Sequence, residues 1–228
     1  MSSFSPRGSI ADFQQLVRDV YAEPNDRMFS VSDLLSNMSR FTMRAIKGIR
    51  KGDRDRLAMN LVIAFSWFTG VANRLHIDID DIMWRRFPNV CSYCGNRPCL
   101  CKKAKPSSRV RLDGVRVGRP QSLADYQKML AEIYPSASRA LADAGIHLAE
   151  EMGEVSEAVH TFLGEHKSEQ FDAILDEMAD YASCVFGVAN SSAIDLAGLL
   201  AAQFAENCHV CHYAPCRCDF SFVACFPS

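Results

Sequence analysis

Residues 147–159 read HLAEEMGEVSEAV, and helical spacing sets Glu150, Glu151, Glu154 and Glu157 along one stripe. Like charges three or four residues apart on a helix lie about 5–6 Å from one another and repel. Leu148, Met152, Val155, Val159 and Phe162 fall on the opposite stripe, with the spacing of a core-facing surface. The acidic stripe is therefore either a solvated face or the seat of a cation. A second acidic set, Asp176, Glu177 and Asp180, stands in the first half of the otherwise apolar stretch Phe171–Ala189. A helix apolar on every side is normally buried, and a buried ionised carboxylate is costly unless paired. Two antiparallel helices would bring Glu151 and Glu154 to Glu177 and Asp180, an oxygen ligand set suited to Mg²⁺. Between residues 121 and 228 only Lys128, Arg139, Lys167 and Arg217 carry positive charge to offset them.

Cysteine spacing offers a second chemistry. Cys91, Cys94, Cys99 and Cys101, and again Cys208, Cys211, Cys216 and Cys218, follow the pattern C-x2-C-x4-C-x-C. Four thiolates in so short a span suit a closed, structural Zn²⁺ site, with an iron–sulfur cluster as the competing occupant. His209 and His212 could replace a cysteine in the second cluster, although the first has no histidine there. Ten cysteines, eight of them clustered, in a chain opening MSSFSPRGSI without a secretory pattern point to metal in a reducing, cytoplasmic compartment. Cys184 reads as a buried apolar residue and Cys225 as a tail residue that could be free.

The elements that must position these groups come as a repeat. SIADFQQLVRDVY at Ser9–Tyr21 returns as SLADYQKMLAEIY at Ser122–Tyr134, a shift of 113. GVAN at Gly70–Asn73 returns at Gly187–Asn190, and the cysteine cluster also returns, both with a shift of 117. The four added residues fit a longer hairpin loop around Gly164–Gln170. Residues 1–101 and 121–228 are thus two copies of one unit joined by the basic linker 102–120. Apolar spacing predicts helices at Ile10–Tyr21, Val31–Arg50, Arg54–Leu75 and Asp78–Arg86 in the first copy. In the second it predicts Ser122–Ile133, Ser138–Leu163 with a break near Gly145, Phe171–Ala189 and Ala193–Ala205. Alternating β-type runs are few, so the expected fold is all-α, two small bundles each ended by a four-cysteine staple.

Charge is uneven along the chain: net +4 over 1–101, +6 over 102–120 and −12 over 121–228. One half is suited to cations and the other to anions. The uncharged run Leu57–Asn73 is too short to span a bilayer and contains Asn60 and Ser66, which excludes a membrane partner. The linker KKAKPSSRVRLDGVRVGRP lacks interleaved aromatics and reads as a solvated segment, which argues against nucleic acid. No G-x-x-x-x-G-K-[ST] loop is present, so a P-loop nucleotidase is disfavoured.

Alignment of the copies sharpens the acidic site. Glu150, Glu151 and Glu154 align with Asn37, Met38 and Phe41, and Glu177 and Asp180 with Asn60 and Ile63. The fold accommodates neutral residues at all of these positions, so the second copy carries carboxylates for another reason. E-E-x-x-E at Glu150, Glu151 and Glu154, followed by E-x-x-D at Glu177 and Asp180, resembles the paired motif of the MazG-like all-α nucleoside triphosphate pyrophosphohydrolases. The resemblance covers most of the second copy and, in degenerate form, the first. It implies cleavage of a (d)NTP to (d)NMP and pyrophosphate, with Glu151, Glu154, Glu177 and Asp180 holding Mg²⁺. It implies that Glu150 orients or deprotonates the attacking water, or ligates a second ion. A homodimer is plausible by the same resemblance, with the first copy acting as a built-in, catalytically dead partner. That copy could offer Arg44, Lys47, Arg85 and Arg86, together with Arg50 and Lys51, to phosphates, and Trp67 or Trp84 to the base. Asn73 and Asn190 fit a structural cap as easily as a base contact. The competing function is a zinc-stapled nucleotide- or nucleic-acid-binding module without turnover.

Overall fold

The computed structural model describes residues 3–112 and 118–225, and every regular element among them is helical. In the first copy these are α1 (Ile10–Met28), α2 (Val31–Lys51), α3 (Arg54–Arg74) and α4 (Ile79–Arg86). The second copy has α5 (Leu123–Ile133), a 3-10 turn at Ser136–Ser138, α6 (Leu141–Glu165), α7 (Ser168–Ser191) and α8 (Leu196–Phe204), and α9 (Phe220–Cys225) is the last element among the described residues. Cys225, expected in a tail, lies in α9, and its side chain is outside the described residues.

Local chemistry sets the helix ends. Ser9, Ser30 and Ser122 each cap a helix and exchange bonds with an aspartate three residues on, Asp12, Asp33 or Asp125. Losing such a cap costs ~1 kcal/mol. Gly52 ends α2 in the left-handed region at φ 65°, and His166 takes the same conformation after α6 at φ 58°. Both turns are equally tight, which corrects the expected longer loop at Gly164–Gln170. The added residues extend the second hairpin's helices instead, so α7 begins at Ser168 where Phe171 was expected. Nor does Gly145 interrupt α6, because it is buried inside a continuous helix.

The compact units are not the sequence copies. One unit comprises Met1–Ile79 with Asp195–Ser228, and the other is Asp80–Ile194. Each copy therefore sends its last helix and its cysteine cluster into the unit built on the other copy's long helices. The first unit buries Phe13, Leu34, Met38, Leu61, Phe65, Phe68 and Phe204. The second buries Phe87, Tyr126, Leu148, Val155, Met178, Tyr181 and Phe186. Fully burying a large apolar side chain is worth roughly 1.5–3 kcal/mol, so these clusters hold each unit together.

A pair of hydrogen-bond locks repeats in both. Gln14 Nε2 donates to Asn73 Oδ1 at 3.1 Å and to the Ile77 carbonyl at 2.6 Å, while Asn73 Nδ2 donates back to the Gln14 carbonyl. Gln127 Nε2 does the same to Asn190 Oδ1 at 3.1 Å and the Ile194 carbonyl at 2.7 Å. Asn73 and Asn190 thus tie the first helix of each copy to its long third helix.

Part of the basic linker folds back onto its own unit. Val110 N–H donates to the Tyr93 carbonyl at 3.0 Å, and Lys105 and Arg109 lie over the Tyr93 ring at 4.6 and 5.8 Å. Arg119 pairs with Asp80. Lys105, Arg109, Val110 and Arg119 nonetheless stay exposed, and residues 113–117 of the linker lie outside the described residues. No single helix among the described residues is long and apolar enough to cross a membrane.

Candidate metal and phosphate site

Both cysteine clusters gather four sulfurs that could hold a zinc-type ion. Cys91 and Cys101 Sγ are 3.8 Å apart and Cys94 and Cys99 3.9 Å; Cys208 and Cys218 are 3.9 Å apart and Cys211 and Cys216 3.8 Å. Metal–sulfur bonds of about 2.3 Å in a tetrahedron put neighbouring sulfurs about 3.8 Å apart, so the spacing suits one central ion. An iron–sulfur cluster that gives each thiolate its own iron needs wider separation. His209 and His212 do not join the second group; His209 packs edge-on against Phe204 at 5.1 Å.

Backbone N–H groups turn toward the sulfurs in the same order in each cluster. Tyr93, Leu100 and Cys101 donate to Cys91, Cys94 and Cys99, as Val210, Arg217 and Cys218 do to Cys208, Cys211 and Cys216. The Cys216 hydrogen bond outweighs burial and pulls the Cys208 thiol down to about 4, favouring a thiolate. Each cluster is also pinned to a helix of the opposite copy. Cys99 N–H donates to the Ile133 carbonyl at 2.8 Å at the end of α5, and Cys216 N–H to the Val20 carbonyl at 2.7 Å in α1. Val20 is free to accept because Pro24, four residues on, has no N–H to offer it. The clusters therefore staple across the copies, where each had been expected to staple its own.

The acidic site forms within the second unit, where α6 packs on α7. Glu151, Glu177 and Asp180 each place a carboxylate oxygen within 4.8 Å of the others. Glu151 is only 8% exposed, and its Oε2 is sealed from solvent with no hydrogen-bond partner. A carboxylate oxygen left so is costly, and a cation on the three groups would satisfy it. Burial, then the charges of Asp180, Glu154 and Glu151, push the Glu177 carboxyl up to about 7 against the pull of Arg86.

Arg86 is the cation already at hand. Its Nε donates to Asp180 Oδ1 at 3.0 Å, its Nη2 pairs with Asp180 Oδ2, and its Nη1 meets Asp176 at 2.6 Å. Burial alone would lower the guanidinium, but Asp180, then Asp176 and Glu177, more than offset that and raise it. Arg86 belongs to the first copy and reaches these carboxylates only because α4 crosses into the second unit. An open cleft of about 580 Å³ beside it is lined by Arg85, Arg86, Arg109, Asp172 and Asp176, among others.

The remaining expected residues are placed as follows. Glu154 is exposed at the rim, close enough to raise Glu177 but outside the three-carboxylate group. Glu150 is exposed and also outside it. Arg44, Lys47 and Trp67 belong to the other unit. There Arg44 lies over the Phe41 ring at 5.1 Å, Lys47 is exposed, and Trp67 packs edge-on against Phe29 at 5.6 Å. Trp84 is buried in α4.

Three further residues at the site belong to no motif in the sequence. Arg109, in the basic linker, and Arg139 line a cavity of about 160 Å³ that reaches Glu151 and Asp180. His147 adjoins the acidic stripe, and its Nε2 lies 3.0 Å from Glu151 Oε1. Its position one turn before Glu151 was the available signal. That hydrogen bond raises the imidazole above its usual range despite burial.

No protein-family model matches the chain, and no curated protein or solved structure matches it.

Proposed function

We propose that the chain is a Mg²⁺-dependent nucleotide pyrophosphohydrolase that cleaves a (d)NTP to (d)NMP and pyrophosphate. The observation that carries this reading is the buried Glu151 carboxylate, its Oε2 unpartnered, grouped with Glu177 and Asp180 beside a cleft lined by three arginines and three carboxylates. Glu151, Glu177 and Asp180 would hold Mg²⁺, with Glu154 completing the set from the rim. When bound, Mg²⁺ neutralises phosphate charge and polarises the attacking water.

The chain's own side chains supply the rest. Arg86 keeps Asp180 oriented, since a guanidinium that donates twice to one carboxylate fixes its plane. Arg85 and Arg109 line the cleft together with Glu169, Asp172 and Asp176, and they are the cations it offers an anionic triphosphate chain. Glu150, solvent-exposed on the same helix, is the carboxylate left to orient or deprotonate the attacking water.

Turnover of an NTP and dNTP panel with Mg²⁺ tests the reading, with products resolved as monophosphate plus pyrophosphate or diphosphate plus phosphate. Monophosphate and pyrophosphate, lost in Glu177→Gln, are expected. Binding of nucleotide without turnover of any panel member would replace the enzyme with the zinc-stapled binding module.

A further inference from the structure

The acidic site has a second face of different chemistry. His147 on α6 stands between two partners: its Nε2 is 3.0 Å from Glu151 Oε1 and its Nδ1 is 3.3 Å from Cys184 Sγ on α7. One imidazole nitrogen, one carboxylate oxygen and the sulfur all lie within 4.8 Å of one another. Cys184 is 3% exposed, whereas the His147 side chain is 43% exposed and opens the group to solvent. Glu151 is common to this trio and to the Glu177–Asp180 group, and it has an oxygen without a partner.

We infer that His147, Glu151 and Cys184 form a second metal site, for a borderline-soft divalent ion such as Zn²⁺ or Co²⁺, which shares Glu151 with the carboxylate site. The ligand types decide the ion. Nitrogen, sulfur and oxygen in one group of three, with an open fourth position, is a zinc-like set, whereas Mg²⁺ takes oxygen alone. Coordination forms a metal–sulfur bond and sends the thiol proton to solvent. His147 exchanges its hydrogen bonds for one metal–nitrogen bond, and one Glu151 oxygen binds the ion. Arg139 and Glu150 act on the imidazole from nearby, and Arg139 and Asp180 on the sulfur.

The matching positions of the first copy, Leu34, Met38 and Trp67, carry none of these ligands, and Leu34 and Met38 are fully buried. The helical frame folds without the trio, so its presence in the second unit has no packing explanation. The inference rests on ligand geometry and not on the hydrolase reading.

The test is metal binding without nucleotide. Full-length protein, with its cluster metals first quantified, is titrated with Co²⁺ and followed by equilibrium dialysis and visible absorption. One added equivalent with thiolate-to-cobalt charge transfer and tetrahedral bands is expected. It should vanish in Cys184→Ala and His147→Gln and persist in Glu177→Gln. Unchanged cluster metal and helicity in the first two variants would show that they fold. No thiolate-to-cobalt charge transfer beyond that of the clusters, or a band that survives Cys184→Ala, overturns the inference, and either result leaves the turnover assay free to succeed or fail independently.

Discussion

The two compact units use one frame for different ends. Phe204 against Tyr21 in the first, with ring centroids 6.4 Å apart, is matched by Phe87 against Tyr134 at 6.3 Å in the second. Inside that frame the second unit sets His147, Glu151, Asp180 and Cys184 around a cavity of about 160 Å³. At the same place the first unit has Phe41, Ile63 and Trp67 lining an apolar cavity of only about 70 Å³. Where one unit concentrates charge, the other fills the space with carbon. The comparison separates what holds the fold from what was added to it: caps, glutamine–asparagine locks and cysteine staples recur, while carboxylates and their arginine do not.

Removing the cluster metals should have the largest effect, and an equal one on both units. Structural zinc sites contribute ~10–16 kcal/mol in small zinc domains, as much as the ~5–15 kcal/mol stability of a typical domain. A strong chelator under reducing conditions should abolish the cooperative thermal transition seen by circular dichroism. Survival of half the helical signal would show that the staples are not equivalent.

Exchanging side chains between the matched sites comes next. Asp180→Asn should lower kcat/KM by about a hundredfold or more at unchanged helicity, since it removes one of the carboxylates proposed to hold Mg²⁺. Ile63→Asp should leave turnover intact but destabilise by ~3–5 kcal/mol, because Ile63 is 3% exposed and the new charge has no partner. A neutral result in denaturant melts for Ile63→Asp would mean that the first site is less closed than its packing indicates.

Arg86→Gln should lower kcat by about 10- to 100-fold, the worth of one or two charged hydrogen bonds that orient Asp180. Gln203→Ala, at its counterpart on α8, has no charge to remove and sets the baseline. Steady-state kinetics that move KM alone would make Arg86 a phosphate ligand and not a positioning group for Asp180.

The smallest effect is on pH dependence. Because Glu177 is raised to about 7 in the folded chain, that chain binds more protons than the unfolded one between about 4.5 and 7. Stability should fall as pH rises through this window in metal-free carboxylate sites and level off above it. Glu177→Gln should flatten that slope, and Mg²⁺ should restore stability above pH 7. Urea midpoints measured across the range check both.

Much of this was legible in the residues. Serine and aspartate three apart marked helix starts, and the 113- and 117-residue shifts marked the copies. Neutral residues at Met38, Asn60 and Ile63 exposed the carboxylates as an addition. The crossing of the tails was not legible, because Ile77 and Ile194 serve identical locks and alike copies present alike docking surfaces. Arg86 consequently had no assignable carboxylate, although it could be listed as a basic residue. Cys184 read correctly as buried, but its approach to His147 depends on the register between α6 and α7. Neither helix's own periodicity sets that register.

The route of the chain also orders its assembly during synthesis. Asp80–Ile194 is one contiguous stretch, whereas the other unit is discontinuous and cannot close until Asp195–Ser228 has left the ribosome. Helices α1 to α3 must wait with Phe13, stacked on Phe65, uncovered by Phe204, an interval in which apolar surface invites aggregation or chaperone capture. The acidic unit is complete in the nascent chain while its apolar counterpart is still open.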